Sequence, residues 1–499
     1  MEVFSVSFLF LLLPLLFLII KHFKPLNPAK PPSLPPGPRP WPILGNILHM
    51  GKMPHITLTH YAQSYGPLIS LRLGTQVLVV GSSPAAAEEI LKTHDRIFSG
   101  RYVPSALPMR RPELNGNSLG WALDCNDKWK LLRTICRTEL FSGGALQSQA
   151  CMRERKVMEM VKFLEGMEGK AVGVGEVVFG TVFNMLSNVF VSRDFISVGD
   201  ETENEDMHMG MKGLVSELIE AVSAPNLSDF YPVLGGLDLQ RRQKKCKDVL
   251  ARICAKWEWV IKERREKRGT AGVCERQDFL DVMIDSDFTD DQINQLALEL
   301  LTAGTDTSSG TIEWVMAELI KNPVSMKKVQ EELAKEIGKD MVKEYNLSQL
   351  SYLQACVKEA LRLHPPGPFL LPHRALDSCK VMNYTIPKNA QVIVNVWAIG
   401  RDLLNWEDPL VFKPERFLNS SLDFKGSNFE YLPFGAGRRI CPGLPMAAKQ
   451  IPLVLASLIH LFDWSLPNGN DPSNLDMGEK FGITLQKREP LLLIPKTRK

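Results

Sequence analysis

The 499-residue sequence predicts a mainly α-helical protein with small β-sheets behind a single N-terminal membrane anchor. Most periodic segments after residue 81 have the three- and four-residue spacing of amphipathic helices. One hairpin signature precedes them, and a long apolar run opens the chain. The net charge of +3 and the absence of basic runs give no reason to expect nucleic-acid binding.

The N-terminal run Val3–Ile20 holds 18 residues, nearly all apolar, which is enough to cross a bilayer core. A cleaved signal peptide is the competing interpretation. Against cleavage, the acidic Glu2 precedes the run, several lysines follow it, and no small-residue cleavage site comes after it. The positive-inside rule then places the rest of the chain in the cytosol. We predict a transmembrane anchor over residues 1–22.

Residues 31–42 read Pro-Pro-Ser-Leu-Pro-Pro-Gly-Pro-Arg-Pro-Trp-Pro. Alone, this segment could be a polyproline ligand for a small adaptor domain. Between an anchor and a globular body, it is better explained as a stiff spacer. We predict a basic, proline-rich hinge over residues 23–45 and a globular body over residues 46–499.

Two shorter segments of the body have clear local signatures. Residues 67–74 and 76–81 alternate like two strands of a hairpin that turns at Gly74-Thr75. Further on, Asp127 is placed to cap a helix that contains Trp129 and Arg133, which share one face at a spacing of four.

The longest helical signal begins at the capping box Thr289-Asp-Asp-Gln292 and ends before Pro323. Such a helix would be about 50 Å long at 1.5 Å per residue. At mid-length, residues 303–308 read Ala-Gly-Thr-Asp-Thr-Ser. A buried helix has little use for this polar run, because unpaired polar groups cost free energy in a core. The alternative is a solvated turn of helix.

The nine cysteines form no Cys-x-x-Cys pair, and their odd number argues against a disulfide framework or a zinc site. Cys441 lies in the run Pro-Phe-Gly-Ala-Gly-Arg-Arg-Ile-Cys-Pro-Gly at 433–443. The glycines allow a sharp turn, and Pro442 suits the first turn of a helix. A sulfur at a helix N-terminus beside Arg438 and Arg439 is biased towards the thiolate, which binds metals. The alternative is a buried structural cysteine beside a basic turn.

These runs resemble the cytochrome P450 family, in particular the plant microsomal type. The haem-binding loop of that family matches five positions here: Phe434, Gly437, Arg439, Cys441 and Gly443. The resemblance spans nearly the whole chain. It implies the P450 fold and one large haem domain, although length alone would allow several domains.

The resemblance also implies roles for individual residues. Cys441 is the expected axial thiolate ligand of the iron of haem b (iron protoporphyrin IX). On the distal helix, Gly304 is expected to leave room over the iron and Thr307 to lie at the oxygen site. Asp306 is expected to help relay protons, so that Asp306 and Thr307 are the predicted catalytic residues.

Two further family motifs concern the haem propionates. Trp129 and Arg133 match a Trp-x-x-x-Arg pattern, although such a pair is common on any helix surface. After Pro372 the family usually has Arg or His, so His373 is the predicted contact rather than Arg374. The predicted haem-binding residues are Trp129, Arg133, Gly304, His373, Phe434, Gly437, Arg439, Cys441 and Gly443.

Glu359 and Arg362 share a helix face at a spacing of three, on a helix that Pro365-Pro366 would end. Usually such a pair is a surface ion pair of little energetic value. In the family it is buried and is joined by the arginine of a Pro-Glu-Arg-Phe motif, here Arg416. The resemblance therefore implies a structural network of Glu359, Arg362 and Arg416.

The implied activity is that of a haem-thiolate monooxygenase, which uses O2 and NADPH. Because the chain has no nucleotide-binding glycine pattern, electrons must come from a separate protein. NADPH–cytochrome P450 reductase is the family's usual electron donor, and the resemblance also allows cytochrome b5 as a second donor. The expected location is the endoplasmic reticulum membrane, with membrane lipid as a partner and the catalytic domain in the cytosol. The basic residues Lys128, Lys130, Arg137 and Arg438 form either a docking patch or an ordinary solvated face.

The substrate class rests on finer resemblance. The run 303–323 resembles alkaloid-oxidising P450s (N-methylcoclaurine hydroxylase, corytuberine synthase and littorine mutase) and also geraniol-hydroxylase-like P450s. Residues 372–384 favour the alkaloid group, so we expect a lipophilic or amine substrate. A tropane such as littorine or a benzylisoquinoline is the first expectation, and a monoterpenol is the alternative. Hydrogen abstraction would be followed by hydroxylation, phenol coupling or rearrangement, and the sequence does not choose among these outcomes. Glu299 could meet an ammonium group. The expected specificity regions are 101–125, 205–239, 294–304, 367–371 and 481–485.

Two other classes of function stay open. A P450-fold enzyme that rearranges hydroperoxides without a reductase usually lacks the acid–threonine pair, so Asp306 and Thr307 count against it. A membrane-anchored haem carrier or scaffold that catalyses nothing would not need that pair.

Overall fold

The computed structural model describes residues 33–108, 116–196, 205–271, 278–469 and 471–498. The predicted membrane anchor and the first part of the hinge lie outside the described residues. Within the described ranges, two helices are long and apolar enough to cross a membrane, Val174–Val191 and Leu444–Leu461. Most of each is buried inside the protein, as expected for core helices.

The helices dominate the fold, as predicted. Short 3-10 and π turns connect them. The α-helices are α1 (Pro54–Tyr65), α2 (Pro84–Glu88), α3 (Asp127–Glu139), α4 (Gly143–Ser148), α5 (Ala150–Gly166), α6 (Val174–Val191), α7 (Glu205–Ser223), α8 (Leu227–Phe230), α9 (Arg242–Cys254), α10 (Glu258–Ala271), α11 (Phe279–Asp285), α12 (Asp290–Lys321), α13 (Pro323–Ile337), α14 (Ser351–Leu363), α15 (Val396–Ile399) and α16 (Leu444–Leu461).

The strands are short and form small sheets. The largest sheet has the order β1-β2-β8-β5-β3, in which β2 and β8 are parallel and the other neighbours antiparallel. The smaller sheets are β4-β12-β9, β6-β7 and β10-β11. The strands are β1 (Leu68–Leu73), β2 (Gln76–Gly81), β3 (Gly100–Arg101), β4 (Val172–Gly173), β5 (His373–Arg374), β6 (Cys379–Val381), β7 (Tyr384–Ile386), β8 (Gln391–Val394), β9 (Phe462–Ser465), β10 (Glu479–Lys480), β11 (Gln486–Lys487) and β12 (Leu492–Thr497).

The hairpin prediction is confirmed. Strands β1 and β2 pair from Leu68 opposite Gly81 to Leu73 opposite Gln76, and the chain turns at Gly74 with φ of 60°. The described part of the predicted hinge packs on this hairpin, because the backbone N–H of Ser70 donates to the Pro36 carbonyl at 2.9 Å.

Helix α12 crosses the core and has the predicted ends. The Thr289 hydroxyl accepts from the Gln292 backbone N–H, and the Gln292 side chain accepts from the Thr289 N–H at 2.8 Å. Its 32 residues span about 48 Å. Helices α6 and α16 pack along it, so its polar mid-section faces the interior of the protein.

Two helix starts differ from the prediction. Asn126, not Asp127, caps α3, with its side chain accepting from the Trp129 backbone N–H at 2.9 Å. Asp127 is the first helical residue and pairs with Lys130. Helix α16 begins at Leu444, so Pro442 lies before the helix rather than in its first turn. In the first case two adjacent residues are equally suited to cap, and the backbone angles decide between them. In the second, Pro445 rather than Pro442 lies in the first turn.

Candidate active site

A cavity of about 410 Å³ lies between the middle of α12 and the loop that precedes α16. Ala303, Gly304 and Thr307 line one wall, and Cys441 lines the opposite one. All five predicted specificity regions contribute residues, although residues 109–115 of the first lie outside the described chain. Sequence reasoning missed the contribution of α6, which adds Leu186, Val189 and Phe190.

The Cys441 loop is held by its backbone. The N–H of Cys441 donates to the carbonyl of Phe434 at 3.0 Å, and the Phe434 ring packs edge-on against Phe424. Gly437 has φ of 67°, and a Cβ there would lie 2.1 Å from the backbone oxygen of Leu91. Only glycine fits this position, so the loop's shape depends on it. A Cβ on Gly443 would lie 3.9 Å from the Cys441 sulfur, an ordinary contact.

The charges around Cys441 differ from the prediction. Burial raises the pKa of the Cys441 thiol, while the backbone N–H groups of Gly443 and Leu444 and the charge of Arg133 lower it. Arg438 instead pairs with Asp95 at 3.1 Å. Arg439 points its guanidinium at the carbonyls of a different loop. The helix N-terminus therefore acts on the sulfur as predicted, but the cation that does so is Arg133.

Four cationic or titratable side chains converge on one side of the cavity: Arg101, Arg133, Arg439 and His373. Arg133 donates to the Ile440 carbonyl at 2.6 Å, and Arg439 donates to those of Ser99, Leu119 and Ala122. His373 Nδ1 donates to the Phe98 carbonyl at 2.6 Å, and Arg101 donates to the carbonyls of Gly120 and Leu371. Burial lowers the pKa of all four.

No carboxylate of the described residues lies within ion-pair distance of these three guanidinium groups. Their hydrogen bonds go to backbone carbonyls, and Asp124 and Glu299 act on Arg439 only through space. Largely buried positive charge without a counter-ion in contact is costly, so the site fits a ligand that carries negative charge on this side. The indole of Trp129 lies against the Arg439 guanidinium at 4.7 Å and donates to the Leu119 carbonyl. Arg374 is directed elsewhere, towards Asn389 and the Leu123 carbonyl. Arg101 was missed by sequence reasoning.

On the opposite wall, Asp306 and Thr307 come together as predicted. The Thr307 hydroxyl donates to the Ala303 carbonyl at 2.7 Å and lies beside the cavity. Asp306 is buried, and burial raises the pKa of its carboxyl, whereas Thr484 and Gln486 favour the ionised form. The Gln486 amide donates to Asp306 Oδ1 at 2.8 Å. This partner was not predicted.

Gly304 also has a packing role that the sequence did not predict. A Cβ on Gly304 would lie 2.7 Å from Leu186 Cδ1, so the missing side chain lets α6 pack closely on α12. Gly304 and Leu186 both line the cavity, and the expected role of Gly304 in leaving room over the iron stays a prediction.

Glu299 lies one turn earlier on α12, enclosed by protein and with its remaining surface towards the cavity. Its Oε1 accepts from the Ser118 hydroxyl and from the Gln295 amide at 3.3 Å. Its Oε2 accepts from the backbone N–H groups of Leu119 at 2.8 Å and Gly120 at 3.4 Å. A carboxylate has about four lone-pair sites, so these donors occupy all of them.

The structure also brings Glu359, Arg362 and Arg416 together. Glu359 and Arg362 are fully buried and bond through two oxygens and two nitrogens at 2.7 and 2.8 Å. Arg416 Nε donates to the same carboxylate at 2.9 Å. The remaining N–H groups of Arg362 reach the carbonyls of the 400–411 loop. This is a buried network rather than a surface ion pair.

Comparison with known proteins adds to this geometry. The family model described as Cytochrome P450 matches residues 35–494. The chain is 50% identical to the probable (S)-N-methylcoclaurine 3'-hydroxylase isozyme 2 of Coptis japonica, over 100% of this chain and 99% of the other. It is 48% identical to corytuberine synthase of Coptis japonica, over 98% and 99% of the two chains. It is 41% identical to geraniol 8-hydroxylase of Catharanthus roseus, over 93% and 94%.

Proposed function

The chain belongs to the cytochrome P450 family, and on this premise we propose that it oxidises a small plant alkaloid. As a P450 it is a monooxygenase of plant specialised metabolism that uses haem b, O2 and a redox partner. The observation that carries the alkaloid assignment is identity of about half of all positions, over the full length, with relatives named for alkaloid substrates.

The residues at the cavity fit haem. Cys441 would bind the iron, and Arg101, Arg133, Arg439 and His373 would hold the two propionates. The indole N–H of Trp129 donates to the Leu119 carbonyl, and it would have to release this carbonyl in order to donate to a propionate. The fit rests on the guanidinium groups that lack a counter-ion in contact, which match a dianion, and on the Cys441 thiol on the same side of the cavity. When bound, haem with a thiolate ligand supplies the activation and cleavage of O2.

The residues of α12 would supply protons to that chemistry. Asp306 is an acid whose raised pKa suits it to hold and release a proton inside the protein. Thr307 follows Asp306 on the helix. Its hydroxyl donates to the Ala303 carbonyl, so the lone pairs of the hydroxyl oxygen stay free to accept from a proton donor in the cavity. Together they would pass protons from the buried carboxyl to the cavity.

Expression in microsomes with NADPH–cytochrome P450 reductase tests the substrate proposal. We expect NADPH-dependent turnover of (S)-N-methylcoclaurine or littorine. A hydroxylated product should carry one atom from ¹⁸O2, and a coupled or rearranged product would be identified by its mass and structure. Littorine stays a prediction from the sequence alone. Turnover of geraniol without either alkaloid would favour the monoterpenol alternative, for which the similarity to geraniol 8-hydroxylase is the supporting observation. Product without NADPH and reductase would indicate a hydroperoxide-rearranging enzyme, and binding without product a non-catalytic haem protein.

Glu299→Gln tests whether this carboxylate meets an amine substrate. Because its lone pairs are occupied by the 118–120 segment, we expect the substitution to loosen a pocket wall rather than to remove a counter-ion. A glutamine amide at position 299 leaves at least one buried N–H without an acceptor. We expect this loss to raise the spectral dissociation constant of the ligand about tenfold. The constant should rise equally for an amine and for a neutral ligand such as geraniol. A rise confined to the amine would show that Glu299 does bind the ammonium group.

The redox partner is proposed to dock on the basic side of α3. Lys128 and Arg137 are exposed and pair with no acidic group among the described residues, whereas Lys130 pairs with Asp127 and Arg438 with Asp95. The first two are therefore free to attract an acidic surface. We propose NADPH–cytochrome P450 reductase as that partner, with cytochrome b5 as a further donor.

The body also carries an apolar surface near its first described residues. Trp41, Ile43 and Leu48 are exposed, as are Val233 and Leu237. The two stretches touch, because the Tyr231 hydroxyl donates to the Ile43 carbonyl at 3.1 Å. Exposed apolar patches of this kind mark interaction surfaces. Together with the predicted anchor, this patch supports a location at the endoplasmic reticulum membrane, with the catalytic domain in the cytosol.

A truncated protein that lacks residues 1–32 should still bind membranes through this patch. Val233→Asp with Leu237→Asp is expected to move most of it into the soluble fraction, because the two side chains are 89% and 65% exposed and would otherwise enter the lipid. Leu403→Asp with Leu404→Asp is the matched control, at 78% and 92% exposure in the loop after α15. Equal partitioning of both double variants in sedimentation assays would contradict the assignment.

A further inference from the structure

Asp306 is held by neutral side chains of one other segment of the chain, residues 484–486, in which the Thr484 hydroxyl and the Gln486 amide both favour the ionised carboxyl. The Gln486 amide donates to Oδ1 at 2.8 Å, and Oδ2 has no hydrogen-bond partner among the described residues. No described cation is ion-paired with Asp306, and Lys212 acts only through space. One oxygen is thus fixed while the other stays available inside the protein.

The position of Gln486 is set by the loop that forms the end of the cavity. Gln486 opens β11 and pairs with Lys480 of β10, directly after the 481–485 tip. The tip is tied to two other cavity walls. Ile483 N–H donates to the Ser223 hydroxyl at 2.9 Å, and Leu485 N–H donates to the Pro366 carbonyl at 2.8 Å. Ile483 and Thr484 line the cavity itself, so a substrate that contacts the tip also touches the support of Gln486.

An amide is well suited to hold an acid that must exchange protons. A lysine or arginine in contact would stabilise the carboxylate strongly and make it a poor acid. An amide N–H fixes the side-chain rotamer, but it takes up no proton and adds no net charge. Without it, the Asp306 side chain could rotate among staggered conformers, only some of which face the cavity.

We propose that Gln486 is a positioning residue that aims the Asp306 carboxyl at the cavity and so couples the substrate-contacting tip to proton delivery. This inference depends on the monooxygenase reaction and not on which substrate is oxidised. In the productive reaction, substrate, O2, NADPH and a proton give hydroxylated substrate, water and NADP⁺. When protons arrive at the wrong place or time, O2, NADPH and a proton give hydrogen peroxide and NADP⁺ instead. The ratio of the two products measures the alignment of the acid.

Gln486→Met removes the donor while keeping a side chain of similar length. We expect the amount of product formed per NADPH to fall on the order of tenfold, which is a part of the roughly 10²–10⁴-fold that positioned acids contribute. The amount of hydrogen peroxide formed per NADPH should rise as the amount of product falls. The solvent isotope effect on product formation should change. The spectral dissociation constant of the substrate and the haem content should stay near those of the parent. The free energy of unfolding should fall, because a buried carboxyl oxygen loses its donor. If the methionine variant does not fold, Gln486→Asn replaces it in the test. Its amide lies one methylene further from Asp306, so we expect the same loss of product per NADPH.

Gln450→Met is the matched control. Gln450 is also buried and donates through Nε2 to α12, but to the Ser308 hydroxyl at 2.6 Å rather than to the acid. It should not shift the balance between product and peroxide. Unchanged coupling in both Gln486 variants, or an equal loss in Gln450→Met, would overturn the proposal. Because peroxide and NADPH are followed with any ligand that turns over, a wrong alkaloid assignment would appear separately, as lack of alkaloid product in the parent enzyme.

Discussion

Cys441→Ser should give a folded protein that has lost the thiolate-type spectrum of the reduced carbon monoxide complex and all NADPH-dependent turnover. A serine hydroxyl stays protonated at neutral pH and is a poor ligand for iron, so the electron donation that favours O–O cleavage is lost. The loop itself should survive, because it is held by the Cys441 N–H bond to Phe434 and by Gly437, neither of which involves the sulfur. Haem content, the reduced carbon monoxide spectrum and far-ultraviolet circular dichroism would be measured together.

Cys151→Ser is the matched control for this variant, since Cys151 is exposed and lines no part of the cavity. It should keep full haem content and spectrum. A Cys441→Ser enzyme that retained the thiolate-type spectrum would show that another group binds the iron. Cys441→His, which offers nitrogen in place of sulfur, should bind haem with a histidine-type spectrum if the pocket admits the larger ring.

Glu359→Gln should lower the free energy of unfolding by about 3–5 kcal/mol, the usual cost of removing one partner from a buried ion pair. Arg362 and Glu359 are both fully buried, and Arg416 shares the same carboxylate, so the change leaves two guanidinium groups against an uncharged amide. Arg362 would keep its bonds to the backbone of the 400–411 loop but not its counter-ion. Chemical denaturation followed by circular dichroism measures the change.

Lys328→Gln provides the comparison for that measurement. Lys328 pairs with Glu415, next to Arg416, at 2.6 Å, but the two side chains are 47% and 38% exposed. Removing this pair should change the free energy of unfolding by less than about 1 kcal/mol. If the two variants were equally stable, the Glu359 network would have no special role in holding the fold.

The parts of the fold that sequence predicts are those with local causes. The capping box at Thr289 and the stop at Pro323 fix the ends of α12 within a few residues of sequence. The turn at Gly74 does the same for the hairpin, because only a few residue types adopt its positive φ. Where two neighbours are equally suited, as Asn126 and Asp127 are, pattern alone does not choose between them.

The roles in the site that the sequence did not predict depend on contacts between distant parts of the chain. Arg101 reaches the Leu371 carbonyl, 270 positions away, and Gln486 reaches Asp306 across 180. Neither belongs to a motif with a fixed spacing, so nothing near them in sequence predicts their partners. The same limit explains Gly304, whose neighbour Leu186 lies on another helix. The motifs shared with the family predicted many of the residues that line the cavity, but not the distant partners that orient them.

The most direct test of the account is the visible spectrum of the purified wild-type protein, expressed with sufficient iron and haem supply. We expect stoichiometric haem b and, after reduction under carbon monoxide, the spectrum of a thiolate-bound iron. The largely buried cations on the Cys441 side of the cavity need the propionates that such a cofactor carries. A correctly folded protein that contained no haem, or one whose reduced carbon monoxide spectrum lacked the thiolate signature, would contradict it.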